Sequence, residues 1–221
     1  MLQGAGSSRQ YNGKELERQT PRFPYRMWFL SLLLCTLAIA VAFQFLDVPI
    51  ARRANGVLTS GESLATGFAS GVLIGVEATI ALALVILRIT RGHLSPSREA
   101  TLLACLTSIC AYALNDSTLK LVFGVPNPDA VLHGTQHAFH LLRASSNGSF
   151  PSGHMVIAGA FAGVFMRLYR ISILPFSVLL LIAAVLLVVG DWHFVSDVIA
   201  GIFVGVSAGL LASEVWLAHS R

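Results

Sequence analysis

An all-α, integral membrane bundle of six helices is the fold class this sequence predicts, from three observations. Hydrophobic residues make up 55% of the 221-residue chain and charged residues only 12%, against roughly 25% charged in a soluble domain. Mean hydropathy is +0.72. Six stretches approach the length of about 20 apolar residues that a helix needs to cross a bilayer. They cover about residues 27–46, 68–89, 100–122, 153–171, 172–190 and 194–217.

Residues 1–26 precede the first span as a polar tail rich in Gly, Ser and Gln, with Arg9, Lys14, Arg18, Arg22 and Arg26. Ala38-Ile39-Ala40 offers a small-residue cleavage pattern. The long basic tail and the length of the apolar run instead predict a retained anchor. Residues 27–217 then form one membrane domain. The mixed segment Val57–Ala69 reads as an interfacial helix leading into the second span. Gly124-Val125-Pro126-Asn127-Pro128 stops the third span. Three sets of glycines recur every four residues: Gly67, Gly71 and Gly75; Gly159 and Gly163; Gly201, Gly205 and Gly209. Small residues at this spacing let helix backbones pack closely in lipid. The alternative is the general abundance of Gly in membrane helices.

Charge placement gives the orientation. Lys and Arg in alternate loops number eleven on the side of the N-terminal tail and four on the other. Cytoplasmic loops carry the excess, so both termini are expected in the cytoplasm. Lys120, His154 and His193 are then expected on the extracytoplasmic face. The net charge of +4 is not gathered into a basic patch with polar surroundings, which argues against a nucleic-acid partner. Cys35, Cys105 and Cys110 all lie in apolar runs. An odd number so placed reads as buried free thiols rather than a disulfide framework.

Three polar clusters interrupt the apolar pattern, and polar groups at membrane depth are costly to keep. In the first, Asp116 and Lys120 stand four apart on one helix face and are placed to pair. The alternative is a boundary pair reaching to water. The second is Ser149-Phe150-Pro151-Ser152-Gly153-His154. Ser152 is placed to cap a helix. The amides of Ser152, Gly153 and His154 would then point to one spot, as in phosphate sites at helix N-termini. An ordinary capped start with a boundary histidine is the other reading. In the third, His193 and Asp197 share a helix face, so the carboxylate can fix one imidazole tautomer. No Ser, Cys or Thr occupies a nucleophile's place there, which leaves the imidazole itself. Asp191 is placed to cap the last helix.

The loop between the first two clusters holds His133, His137, His140 and Arg143. The histidine spacing raises a metal site, but Asp129 is the only carboxylate nearby, and interfacial histidines are the reading preferred. Arg143 is the loop's only arginine and a candidate anion contact.

With these residues in view, the chain resembles the membrane-bound type-2 phosphatidic acid phosphatases, which share a core with bacterial acid phosphatases and vanadium haloperoxidases. Pro151 to His154 match the family's Pro-Ser-Gly-His motif. His193 and Asp197 match the end of its third motif. Lys120, six residues and Asn127-Pro128 match the first, where the family has Arg-Pro. The family's Ser-Arg at the head of the third motif is Leu186-Leu187 here. The resemblance covers roughly residues 27–217.

It implies a lipid-phosphate phosphatase, or a related phosphotransferase, of a bacterial inner (cytoplasmic) membrane. His193 would attack phosphorus, Asp197 would orient it, and His154 would act as acid and base. Lys120, Ser152 and Gly153 would bind the phosphate oxygens, with Arg143 compensating for the missing arginines. Neither cofactor nor metal is implied; the partners are a phosphorylated lipid and the bilayer. Two rival readings stand beside it. One is a non-catalytic lipid-binding or assembly protein on the same scaffold, supported by the missing arginines. The other is a transporter, resting on Glu77 alone.

Overall fold

The computed structural model describes residues 25–57, 69–132 and 148–219. Helix α1 (Tyr25–Val41) passes through a π-helical turn, Ala42–Leu46, into α2 (Asp47–Ala54). Helix α3 (Ala69–Arg91) is followed by α4 (Pro96–Leu114), which runs through a second π turn, Asn115–Leu119, into α5 (Lys120–Phe123). A short α6 (Pro128–Leu132) precedes the second cluster. Then come α7 (Gly153–Leu168), a 3-10 turn at Arg170–Ser172, α8 (Ile173–Val189) and α9 (Val195–His219). The segment read as an interfacial helix lies mostly outside the described residues.

Five of these elements are long and apolar enough to cross a membrane: Tyr25–Ala54, Ser70–Arg91, Pro96–Phe123, Arg170–Val189 and Val195–His219. They mark the chain as an integral membrane protein. The remaining expected span, Gly153–Leu168, is an apolar helix of 16 residues. Local chemistry accounts for the ends. Pro96 opens α4, where the proline's missing N–H has no intrahelical partner to lose. Gly124 ends α5 in the left-handed conformation, at φ 54°, which glycine adopts without a Cβ clash.

Helix α7 is the innermost element. It packs against α9, α4, α8 and α3, and most of its residues are buried. Glycine makes its seam with α9 possible. A Cβ at Gly205 would lie 2.5 Å from the Val156 carbonyl oxygen, and one at Gly163 would lie 2.7 Å from that of Val206. The expected close packing therefore holds for the fourth and sixth apolar segments. It does not hold for Gly71 and Gly75 of α3, where an added Cβ would meet nothing within 4 Å.

Met155, Ala162, Leu180, Leu187 and Val198 form an apolar cluster joining α7, α8 and α9. Ala111, Val156 and Ala160 join α4 to α7. Large apolar side chains of α1, α3 and α8 point outward, as expected of helices surrounded by lipid rather than water. The three cysteines are free, but only Cys105 is buried; Cys110 is exposed on α4.

Candidate active site

The fold brings the three polar clusters to one end of the bundle: the ends of α2 and α4–α5, and the starts of α7 and α9. At the start of α9, Phe194 precedes the first helical residue and Asp197 lies three beyond it. The Phe194 N–H donates to Asp197 Oδ2 at 2.9 Å. A side chain on the first helical turn reaching back to the cap amide satisfies a donor that no helical carbonyl can reach. Ser149 Oγ donates to the same oxygen at 2.5 Å. Asp197 is fully buried, and its carboxylate is thus held from two sides. Asp191, expected to cap this helix, accepts from Asn55 Nδ2 at 2.9 Å, and its backbone adopts a left-handed φ of 62°.

His193 does not share a helix face with Asp197 as expected, because it lies two residues before α9 begins, yet its Nδ1 stands 3.4 Å from Asp197 Oδ2. On the other side of the ring, His193 Nε2 stands 3.4 Å from His154 Nδ1. The two rings meet edge to face, with centroids 5.6 Å apart. Both separations are longer than the ~2.7–3.2 Å of a formed N–H···O bond. They nevertheless set the histidines and the carboxylate in one row, Asp197–His193–His154. His193 is buried, and His154 is half-buried on the first turn of α7.

The Pro-Ser-Gly-His segment is held from beneath. Ser152 Oγ accepts the Met155 N–H at 3.5 Å, as a cap. The Ser152 amide does not join the cluster expected at the helix start: it donates to the Asp197 carbonyl at 3.1 Å. The Phe150–Pro151 peptide is cis, and Asn115 Nδ2 donates to the Pro151 carbonyl at 3.2 Å. Gly153 leaves space for its neighbours. A Cβ there would lie 2.8 Å from Tyr112 Cε2 and 3.8 Å from Lys120 Nζ.

Lys120 Nζ donates to Asp116 Oδ1 at 2.8 Å, which confirms the pairing read from their spacing. The ammonium also lies 5.9 Å from the centre of the Tyr112 ring. Lys120 therefore neighbours Gly153, and the next residue, His154, meets His193.

Both positions where the resemblance lacks arginine have structural roles. Asn127 Oδ1 accepts the Ala130 N–H at 2.9 Å, at the start of α6. Leu187 is buried in the apolar cluster with Met155, while Leu186 is exposed. Arg143 and the loop histidines His133, His137 and His140 lie outside the described residues.

Tyr112, Asn115, Asp47 and Asn55 support this site without having been assigned to it from sequence. Asn115 carried a signal, being a carboxamide inside an apolar span. Tyr112 carried none, because an aromatic in a membrane helix is ordinary.

Residues 100–221 match the PAP2 superfamily, more than half of the chain. The chain therefore belongs to the PAP2 superfamily, whose members are typically phosphatases. No curated protein and no solved structure matches it. The matched region begins at Ala100, so α1, α2 and α3 precede it.

Proposed function

We propose that this protein hydrolyses a phosphorylated lipid through a phosphohistidine on His193. The observation that carries the reading is the row Asp197–His193–His154, with 3.4 Å on either side of the His193 ring. A carboxylate beside Nδ1 favours the tautomer with its proton there. The Nε2 lone pair is then directed at His154 and the mouth of the site.

In the proposed reaction Nε2 attacks phosphorus. The bond to the leaving alkoxide breaks as His154 gives it a proton. His154 then takes a proton from water, whose oxygen attacks the phosphohistidine and releases phosphate. The phosphoryl group must enter between the two rings, so they part when substrate binds. Lys120 and the amide of Gly153 stabilise the equatorial oxygens, which carry the transition-state charge. Ser152 contributes as the cap that holds this helix start in place. Arg143 supplies a second positive charge, since a phosphate near −2 is not neutralised by one lysine.

The reading also places the site outside the cytoplasm, with six crossings and Gly153–Leu168 as the fourth. That helix rises about 24 Å, less than the ~30 Å hydrocarbon layer. Its position inside the bundle removes the need to match lipid along its whole length.

Purified protein should release phosphate from at least one member of a panel of lipid phosphates and diphosphates in detergent, with or without EDTA. A quenched reaction should trap an acid-labile, base-stable phosphoenzyme. His193→Ala should fold, insert and lose both signals. Wild-type turnover in a well-folded His193→Ala protein would falsify the nucleophile assignment, and loss of turnover in EDTA would return the loop histidines to consideration as ligands.

The roles of Asn127 and Leu187 favour a second reading, a non-catalytic lipid-binding protein on the same scaffold. Binding of lipid phosphate without release of phosphate across the whole panel would favour it.

A further inference from the structure

We propose that Asp47, at the start of α2 and ahead of the family-matched region, is a positioning residue for His193. The inference rests on the phosphatase reading above. Asp47 is a buried carboxylate with 4% of its surface exposed. Its Oδ1 accepts the Ser196 N–H at 3.0 Å, and its Oδ2 accepts the Ser196 hydroxyl at 2.5 Å. Ser196 lies between His193 and Asp197 in the sequence. Just past the end of α2, Asn55 Nδ2 donates to Asp191 Oδ2 at 2.9 Å. Asp47 at the start of α2 and Asn55 just after its end thus grip the His193 segment on both sides, at residues 196 and 191.

The first amides of a helix have no intrahelical acceptor, and leaving one buried without a partner is costly. At α9, Asp197 takes the Phe194 amide and Asp47 takes that of Ser196. A carboxylate there also meets the positive end of the helix dipole. A buried carboxylate is itself expensive unless its oxygens are satisfied, and both oxygens of Asp47 are. The contact falls at the active-site end, whereas the glycine seam that packs α9 against α7 runs from Gly201 onward. Loss of the brace should therefore move the start of α9, and with it His193 relative to Asp197 and His154, before it loosens the bundle.

Steady-state kinetics on the lipid phosphate turned over by the full-length enzyme tests this with Asp47→Ala, Asp47→Asn, Ser196→Ala and the double alanine variant, corrected for folded protein. Asp47→Ala should lower kcat by about tenfold to a hundredfold, the cost of a small misplacement of reacting groups. KM should stay within about twofold, because substrate contacts are intact. Asp47→Asn keeps an acceptor for the Ser196 amide and should recover most of kcat. The double variant should be no worse than Asp47→Ala alone, since the two residues act through one contact.

Unchanged kcat in Asp47→Ala, a matching rise in KM, or no rescue by Asn would each overturn the proposal. If Asp47→Ala does not fold, Ser196→Ala decides: it removes a single hydroxyl and should still lower kcat severalfold, and full activity would refute the brace. An inactive wild type would overturn the phosphatase reading and this inference together. An active wild type with an equally active Asp47→Ala would overturn this inference alone.

Discussion

Gly153 shows what one missing Cβ does for this site. The Tyr112 ring and the Lys120 ammonium both converge on the space beside it. An alanine would press on the ring at 2.8 Å and, under the proposed reaction, would occupy ground that a phosphate oxygen needs. Gly153 is the first residue of α7 and its φ is not in the left-handed region, so the backbone would accept the change. We therefore expect Gly153→Ala to keep the fold and to lower kcat/KM by about tenfold or more, a loss of at least ~1.4 kcal/mol of transition-state binding. Phosphate release by Gly153→Ala at the wild-type rate would remove this helix start from the site. At the same scale, the absence of the two family arginines acquires a physical meaning. Asn127 caps α6 and Leu187 fills the cluster around Met155. Restoring arginine at Leu187 would place a guanidinium among apolar side chains.

Among the elements, the seam between α7 and α9 is the tightest contact. Gly205→Ala would bring a Cβ to 2.5 Å from the Val156 carbonyl oxygen and 2.8 Å from the Ala160 amide. These are backbone atoms, which cannot turn aside as a flexible side chain can. The helices must separate, and overpacking of this kind costs about 1–3 kcal/mol. Gly71→Ala meets nothing within 4 Å and should leave stability unchanged or slightly raised, since alanine favours helix. Thermal unfolding in one detergent should rank the two variants in that order; equal midpoints would contradict the seam.

The same comparison shows what the sequence could disclose. Glycines four apart were visible in three segments, yet the pattern carries no information about whether a partner helix lies opposite. Two segments have one. The described glycines of the third, Gly71 and Gly75, have open space. His193 and Asp197 were legible as a pair from their spacing of four, although His193 lies two residues before α9 begins at Val195 and no helical turn relates them. Lys120 and Asp116 were legible from the same spacing. The brace between Asp47 and Ser196 joins residues 149 apart, and a single aspartate at the end of an apolar run looks like any boundary residue. Long-range hydrogen bonds leave no periodic trace.

For the whole molecule the remaining variable is which way the bundle faces. Helix directions put Arg88, Arg91, Arg98, Arg167 and Arg170 at the end away from the histidines, and Arg52, Arg53 and Lys120 at the histidine end. Arg167 meets Glu214 at 2.5 Å and Arg88 meets Glu99 at 2.9 Å, so the far end is also tied together by ion pairs. The orienting bias counts Lys and Arg near span ends and is little affected by acidic residues. These pairs therefore do not cancel it. By that bias the far end is expected in the cytoplasm and the histidines outside, where a lipid phosphate of the outer leaflet could reach them under the proposed function. Cysteine labelling tests this directly. With Cys35, Cys105 and Cys110 replaced by alanine, a cysteine at exposed Asp129 should react with an impermeant maleimide in intact cells. A cysteine at exposed Ser97, between α3 and the body of α4, should react only after the cells are opened. The reverse pattern would turn the molecule over, and the substrate would then have to come from the cytoplasmic leaflet.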